Sequence, residues 1–362
     1  TTAALLGIAA LVVAVAINSA SIYVSQSGAG TTCTLIAPCS VAQGMSKAVA
    51  GDTIHILGAV SPFEITKSDL TFTGGAVNGL GNTTQQALLI TGSRITIDGV
   101  EIYGGWHFGV RIKGKNVTVR NSSIHDNEQE PAQRTATGCS SSGSWGRGIT
   151  TSLGADGAII ENNQIYNNCA EGIGLLQSGG AIVRGNTVYD NFSMGIYVDG
   201  AFGATVENNN LWAGNPYYYR SSQPMRCISM AEEKYTTFTQ LSGILIQNNQ
   251  MRACRGMGFY TEVSGGHMEN VTILNNTYTD IWNNGAMFTF PSGGINVVIS
   301  GNASVKSGIT PSATLSPTAT LTIVPSLTAT LTPTLSPTLS PTPSQTPSPS
   351  PSVTPTRTLT CY

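Results

Sequence analysis

The chain has 362 residues and a formal net charge of −2, and only 10% of its residues are charged, against about 25% in an ordinary soluble domain. A charge this small provides no electrostatic attraction for nucleic acid or for an anionic membrane surface, so neither is expected as a partner. None of the seven cysteines forms a CxxC pair, so no zinc or other metal site is expected either.

The chain begins with an apolar segment, defined as residues 1–21. Residues 3–17 are all apolar or glycine, and no charged residue precedes Lys47. This length suits the apolar part of a secretory signal but is short for a membrane-spanning helix. Its valines would also suit a strand added to a neighbouring molecule. The segment resembles the apolar N-terminus of mature type IV pilins, with Leu5 where bacterial pilins commonly have an acidic residue. The resemblance implies an assembly element that contacts a membrane only before assembly.

A short helix is predicted next, over residues 40–50. Ser40 is a suitable N-cap, apolar residues recur on one face, and Gly51 ends the helix. A strand over residues 52–57 follows. The two elements together predict a cap that covers the first coil of a stacked domain.

From residue 95 the sequence repeats every 22 to 24 residues wherever no insertion intervenes. Each copy alternates apolar and polar residues, turns, and alternates again, which predicts a strand–turn–strand unit. Strands this short bury an apolar face only by stacking on the next copy. We therefore predict a solenoid of about ten or eleven coils, roughly 50 Å long at about 4.8 Å per coil. The copies begin at Ile95, Val117, Ala158, Ala181, Ala204, Ile244, Val271 and Val297.

Asparagine recurs at the sixth position of the repeat. Stacked asparagine side chains can hydrogen-bond to one another along the axis of a solenoid, which satisfies their buried amides. We interpret these residues as a structural ladder and not as a ligand site. The predicted ladder consists of Asn163, Asn186, Asn209, Asn249, Asn276 and Asn302.

These repeats resemble the right-handed parallel β-helix family, the pectate-lyase-like fold. The resemblance covers about residues 22–306 and implies an all-β, single-chain solenoid with a cap helix. Polysaccharide lyases, hydrolases, phage tailspikes and adhesins share this fold, so it indicates little about function.

Several features predict an extracellular, cell-surface protein. The cysteines suggest the disulfides Cys33–Cys39, Cys139–Cys169 and Cys227–Cys254, with Cys361 left over, and disulfides require an oxidising compartment. Seven Asn-x-Ser/Thr motifs permit covalent glycans. They lie at Asn82, Asn116, Asn121, Asn191, Asn270, Asn275 and Asn302.

Residues 307–362 form a third region. Eleven of the 17 prolines lie there, and its only charged residue is Arg357. The remaining residues are mostly Thr, Ser, Leu and Ala, so neither a helix nor a central strand can form. We predict an extended, glycosylated stalk.

The favoured functional prediction is a non-catalytic subunit of a cell-surface filament or pilus-like appendage. Copies of the chain would polymerise through the apolar N-terminal segment, and no cofactor would be needed. A rigid rod with few charges, followed by a stalk, fits that role.

The alternative is a polysaccharide lyase, a glycoside hydrolase or a glycan-binding adhesin. Two insertions, residues 126–147 and 212–241, would wall a groove, and a lyase could require calcium. Arginine and lysine are too few for a convincing uronate-binding floor, and His107 and His125 are interpreted as packed or surface residues. The catalytic candidates are Glu171, Asp190, Asp199 and Arg147, with Arg226 and Arg255 as further bases. The glycan-binding candidates are Trp212, Tyr217, Tyr218 and Tyr219.

Overall fold

The computed structural model describes residues 19–128, 134–135, 138–139, 145–234, 240–282, 286–290 and 294–305. Of the 32 strands in these residues, 30 lie in three long parallel sheets, numbered here in the order in which the chain visits them. The first 18 residues and the predicted stalk fall outside the described residues. The predictions for the apolar segment, the stalk and Cys361 therefore stay predictions.

Sheet 1 has eleven strands and sheet 2 has ten. The strands of sheet 1 are Ser21–Ser25, Thr53–Leu57, Thr71–Thr73, Thr96–Asp98, Thr118–Arg120, Ile159–Glu161, Ile182–Arg184, Thr205–Glu207, Leu245–Gln247, Thr272–Leu274 and Val298–Ser300. The strands of sheet 2 are Ala59–Val60, Ala76–Asn78, Glu101–Tyr103, Ser123–His125, Gln164–Tyr166, Thr187–Tyr189, Asn210–Trp212, Gln250–Arg252, Thr277–Thr279 and Ala303–Val305.

Sheet 3 has nine strands. They are Phe63–Ile65, Leu88–Ile90, Phe108–Ile112, Arg147–Thr151, Glu171–Leu176, Met194–Asp199, Arg226–Glu232, Met257–Thr261 and Phe288–Thr289. In each sheet the neighbouring strands come from successive coils and pair in parallel, as Ile160 with Val183 and Val183 with Val206. The chain is thus a right-handed parallel β-helix, with the handedness that parallel crossovers almost always have.

The interior is filled by aliphatic side chains that repeat from coil to coil. In sheet 1, Ile97, Val119, Ile160 and Val183 lie in register and are fully buried. Every second residue of these strands points inward, which is the alternation seen in the sequence.

The six predicted asparagines stack at the turn between sheets 1 and 2. Asn302 ends the ladder, and in each of the other five the Nδ2 donates to the Oδ1 of the asparagine one coil further on, at 2.9 to 3.0 Å. Each Nδ2 also donates to a backbone carbonyl, as Asn209 does to Val183 at 2.9 Å. The residue before each ladder asparagine, for example Asn162 or Asn208, has a positive φ, which asparagine tolerates well.

The N-terminal end is covered by one helix, Val41–Lys47, which is shorter than the predicted 40–50. Ser40 caps it, since its Oγ accepts a hydrogen bond from the Gln43 amide at 3.2 Å. No helix among the described residues is long and apolar enough to cross a membrane.

All three predicted disulfides are formed, and they join Cys33 to Cys39, Cys139 to Cys169 and Cys227 to Cys254. They indicate an oxidising compartment. The second disulfide ties the short hairpin of Arg134–Thr135 and Gly138–Cys139 to the solenoid.

The predicted insertion over residues 212–241 is wrong in its extent. The strand Arg226–Glu232 returns to sheet 3 in its middle, so two shorter segments replace one long loop. The first contains the 3-10 helix Pro216–Tyr218. The repeat alignment missed this strand because Arg-Cys-Ile-Ser-Met lacks the Gly-Ile start of the preceding sheet 3 strands.

Candidate functional site

The three predicted catalytic carboxylates do not come together. Glu171 lies in register with Met194, which begins the neighbouring strand, and Asp199 lies at the other end of that neighbouring strand. At about 3.3 Å per residue, this places the two Cα atoms about 16 Å apart along the strands. A glycoside hydrolase needs its two carboxyl groups about 5 to 9.5 Å apart, so this pair does not form a hydrolase site.

Asp190 has a structural role. Its Oδ1 accepts hydrogen bonds from the amides of Gly214 and Asn215 at 2.6 and 2.8 Å. The carboxylate thus anchors the segment that leaves sheet 2 after Trp212. Asp199 is fully buried, and its Oδ1 accepts from the Glu233 amide at 3.1 Å.

The four predicted glycan-binding aromatics do not share a surface. Tyr217 is 60% exposed, but Tyr218 is buried and its hydroxyl donates to Asp126 at 3.5 Å. Tyr219 packs against the core. Tyr218 and Tyr219 are therefore corrected to structural residues.

Trp212 ends a stack of parallel rings on the outer face of sheet 2. Successive ring centroids lie 4.6 to 5.4 Å apart, and the Arg252 guanidinium covers the last ring at 5.5 Å. The ring faces are thus used against one another, so they are not available to stack on sugars. The stack consists of Tyr103, His125, Tyr166, Tyr189 and Trp212.

Two of the predicted glycosylation sites are wrong. Asn191 is fully buried, and its Nδ2 donates to the carbonyls of Ile165 and Tyr189. The Asn302 Nδ2 likewise donates to Ile273 and Ser300, at 2.9 and 3.0 Å. A glycan would have to replace these amide hydrogen atoms. Of the other sites, Asn82 is half-buried, and Asn116, Asn121, Asn270 and Asn275 are exposed.

A column of side chains runs along the outer face of sheet 3, parallel to the solenoid axis. Its first five members are the first residues of five successive strands, in register with one another. Its sixth lies two residues before the following strand. The column spans five strand spacings, about 24 Å. We call it the basic column, and it consists of Phe108, Arg147, Glu171, Met194, Arg226 and Arg255.

Glycines turn these residues outward. A Cβ on Gly172 would lie 2.8 Å from the Asn191 Nδ2 and 2.9 Å from the Val188 Cγ1, both inside the solenoid. Ile173 also faces the core. Two consecutive residues thus face inward, as in a bulge, and Glu171 before them faces outward. The same arrangement recurs at Gly109, Gly148 and Gly195.

A second asparagine ladder supports the glycines. Asn127 donates through Nδ2 to Asn168 at 2.7 Å, and Asn168 donates to Asn191 at 2.9 Å. All three side chains are fully buried. This second ladder was not predicted from the sequence. Its signal is a triplet that recurs at the end of the sheet 2 strands, as His-Asp-Asn, Tyr-Asn-Asn and Tyr-Asp-Asn.

At the basic column, the outer face of sheet 3 carries an excess of positive charge. Arg147 donates through Nε to Glu171 Oε2 at 2.6 Å. Among the described residues, Arg111, Arg226 and Arg255 have no ion pair. Arg111 lies above the Phe108 ring, 5.0 Å from its centroid, and Arg226 packs over Gly258.

Burial and mutual repulsion act on these arginines. Burial, and then the charge of Arg147, lower the pKa of Arg111. Burial, and then the charge of Arg255, lower the pKa of Arg226. Burial, and then the charge of Arg220, lower the pKa of Arg255. Because a guanidinium keeps its proton at neutral pH, the face presents clustered cations that an anionic ligand would stabilise.

His107 lies beside this face, directly before Phe108. Its ring is half-buried and makes no hydrogen bond with other described residues. Burial, and then the charges of Arg147 and Arg111, lower its pKa. The imidazole is therefore neutral at neutral pH and able to accept a proton.

The two insertions meet next to the basic column. The Arg220 guanidinium lies 5.3 Å from the ring centroid of Trp145, which is 39% exposed. Each insertion thus contributes one of two stacked groups. No three His, Cys, Asp or Glu side chains in the described part of the chain are grouped as metal ligands, so these residues do not provide the carboxylate cluster of a calcium-dependent lyase.

The low total of basic residues conceals their concentration on this face. This face collects Arg111, Arg147, Arg220, Arg226 and Arg255, which are five of the chain's eleven arginines. The overall composition hides this clustering because the five are spread over residues 111–255, on four different coils. The parallel register brings them together.

Comparisons with known proteins agree with this architecture. Residues 52–217 match the family described as the right-handed β-helix region. No curated protein matches the chain. The Dettilon tailspike protein shares 15% identity at a TM-score of 0.52, over 78% of this chain and 66% of its own length. The chain thus spans just under two thirds of that tailspike.

A lyase has a similar fold. The alginate lyase of Paenibacillus sp. str. FPU-7 shares 15% identity at a TM-score of 0.52, over 78% of this chain and 98% of its own. At such identities the likeness concerns the fold alone. With its three parallel sheets and the matched repeats over residues 52–217, this chain has the right-handed parallel β-helix fold.

Proposed function

We propose that the protein binds an anionic polysaccharide along the outer face of sheet 3 and cleaves it by β-elimination. The observation that carries the proposal is the row of arginines along the basic column, with Arg111 next to the neutral imidazole of His107. Uronic acids supply the matching carboxylates, and arginine recognises a carboxylate through two parallel hydrogen bonds.

The proposed reaction uses the chain's own side chains. Arg111, whose charge acts on His107, neutralises the uronate carboxylate and so acidifies the adjacent C–H bond. His107 accepts that proton as general base. The C–H electron pair forms the new C=C bond, the glycosidic C–O bond breaks, and the leaving oxygen takes a proton from water. The products are an unsaturated uronate end and a new reducing end.

Hydrolysis is the less favoured chemistry, because the candidate carboxylates are too far apart along the strands. The filament role favoured by the sequence gains no support from the comparisons, and the segment on which it depends falls outside the described residues. It stays a prediction. Extracellular localisation is part of the present proposal, since the disulfides and a polysaccharide substrate both fit it.

The test is an elimination assay on uronate-containing polysaccharides, followed by the ultraviolet absorbance of the unsaturated product. We expect H107A to lose about 100-fold or more in kcat while it still binds the polysaccharide. R226Q should mainly raise KM. R184Q is the matched control, because Arg184 pairs with Glu161 on the outer face of sheet 1. Binding without any cleavage by the unaltered protein would instead make it a glycan-binding module.

A further inference from the structure

We infer that the polysaccharide is an acidic heteropolysaccharide, in which neutral sugars separate the uronic acids. This inference deepens the proposed function and rests on it. The observation behind it is the order of charges along the basic column, which has cationic ends and a neutral centre.

One cationic end lies at Phe108. The Arg111 guanidinium packs over the Phe108 ring and has no ion pair with other described residues. The other end holds Arg226 and Arg255, again without ion pairs among the described residues, and Arg220 lies close enough to affect Arg255. These ends supply the positions at which a carboxylate is attracted.

The centre has no net charge. Arg147 and Glu171 neutralise each other through the 2.6 Å contact, and Glu171 is only 2% exposed. Met194 occupies the next position. An acidic sugar placed there would meet the thioether of Met194 or the compensated Arg147, and no uncompensated cation.

The spacing gives the pattern of the ligand. Four strand spacings, about 19 Å, separate the strand of Phe108 from the strand of Arg226. A pyranose in an extended glycan advances by about one strand spacing, so several sugars lie between the two cationic ends. A homopolymer of uronic acid would place carboxylates against the neutral centre, whereas neutral sugars fit it without repulsion.

The experiment compares three probes: a homopolyuronate, an acidic heteropolysaccharide with neutral sugars between its uronates, and a neutral polysaccharide. Dissociation constants are measured by calorimetry at one ionic strength. We expect the unaltered protein to bind the heteropolysaccharide at least about tenfold more tightly than the homopolyuronate, a difference of about 1.4 kcal/mol. E171Q removes the carboxylate that pairs with Arg147 and should narrow that ratio severalfold.

M194K tests the same point without breaking an ion pair, so it remains informative if E171Q folds poorly. It should also narrow the ratio, whereas R184Q on sheet 1 should leave it unchanged. Equal or tighter binding of the homopolyuronate by the unaltered protein would overturn the inference and leave the proposed function standing. Binding of the neutral polysaccharide alone would overturn both.

Discussion

At the scale of single residues, the asparagine ladder makes the sharpest prediction about stability. Asn209 is 1% exposed and accepts from the backbone amide and the Nδ2 of Asn186, at 2.9 and 3.0 Å. It also donates to Val183 and Asn249. N209A leaves these groups buried and unpaired, so we expect a loss of about 3 kcal/mol or more in the free energy of unfolding.

Urea unfolding measures this loss. N210A is the matched control, because Asn210 is the next residue in the chain and its side chain is exposed. Its effect should stay within about 0.5 kcal/mol. Similar losses for the two variants would mean that the ladder does not stabilise the solenoid.

His107 provides a prediction about protonation. Its pKa is lowered by burial first, then by Arg147 and Arg111, from an ordinary value of about 6.5. The neutral base therefore persists as the pH falls below 6.5, and activity is lost only when the pH passes through the lowered pKa. R111Q removes one of these charges, so it should raise the pKa and move the acid limb of the kcat/KM profile to higher pH.

NMR titration of the His107 ring checks this shift without any substrate. R255Q is the control, since it removes a cation from the same column at the far end, where it is not among the charges that act on His107. If R255Q shifted the His107 pKa by the same amount, the cause would be the summed charge of all the arginines on this face and not the nearby Arg111.

At the scale of an element, the strands of sheet 3 depend on their glycines. G172A would bring a Cβ to 2.8 Å from both the Asn191 Nδ2 and the Gly195 carbonyl oxygen. We expect a loss of about 1–3 kcal/mol from overpacking, together with reduced glycan cleavage, because Glu171 and its partner Arg147 would shift. Thermal unfolding and the elimination assay measure the two effects.

G214A is the matched control for that variant. A Cβ on Gly214 meets no atom within 4 Å, so stability should change little and cleavage should be kept. If G172A were as stable and as active as G214A, the glycines would not be what turns the column outward.

These glycines lie in the part of the fold that the sequence did not predict. The strands of sheets 1 and 2 were predictable because the regular alternation in segments such as 181–188 identifies the inward residues directly. The start of each sheet 3 strand was not, because Glu171-Gly172-Ile173 breaks that alternation. A strict period of two would place Glu171 on the same face as Ile173 and Leu175.

At the scale of the whole molecule, the structure confirms the β-helix that the sequence repeats predicted. The repeats made it predictable because stacked units repeat one local structure many times. The candidate site could not be predicted in the same way. Arg147, Arg226 and Arg255 have different neighbours in sequence, and only the register between coils places them in one column. Insertions of different lengths between the coils hide that register in the sequence.

The contrast between total and local charge leads to the last prediction. The molecule as a whole carries −2, so its net charge would weakly repel a polyanion, whereas the arginines of sheet 3 attract one. Raising the ionic strength from about 0.01 M to about 1 M shortens the screening length from about 30 Å to about 3 Å. If the local cluster governs binding, affinity for an acidic polysaccharide should fall steeply with salt, and R226Q should make this salt dependence shallower.

R184Q is the control, because it removes the same charge from another face of the molecule. It should leave the salt dependence of binding as it is in the unaltered protein. Equal effects of R226Q and R184Q would mean that net charge, and not the basic column, controls the interaction.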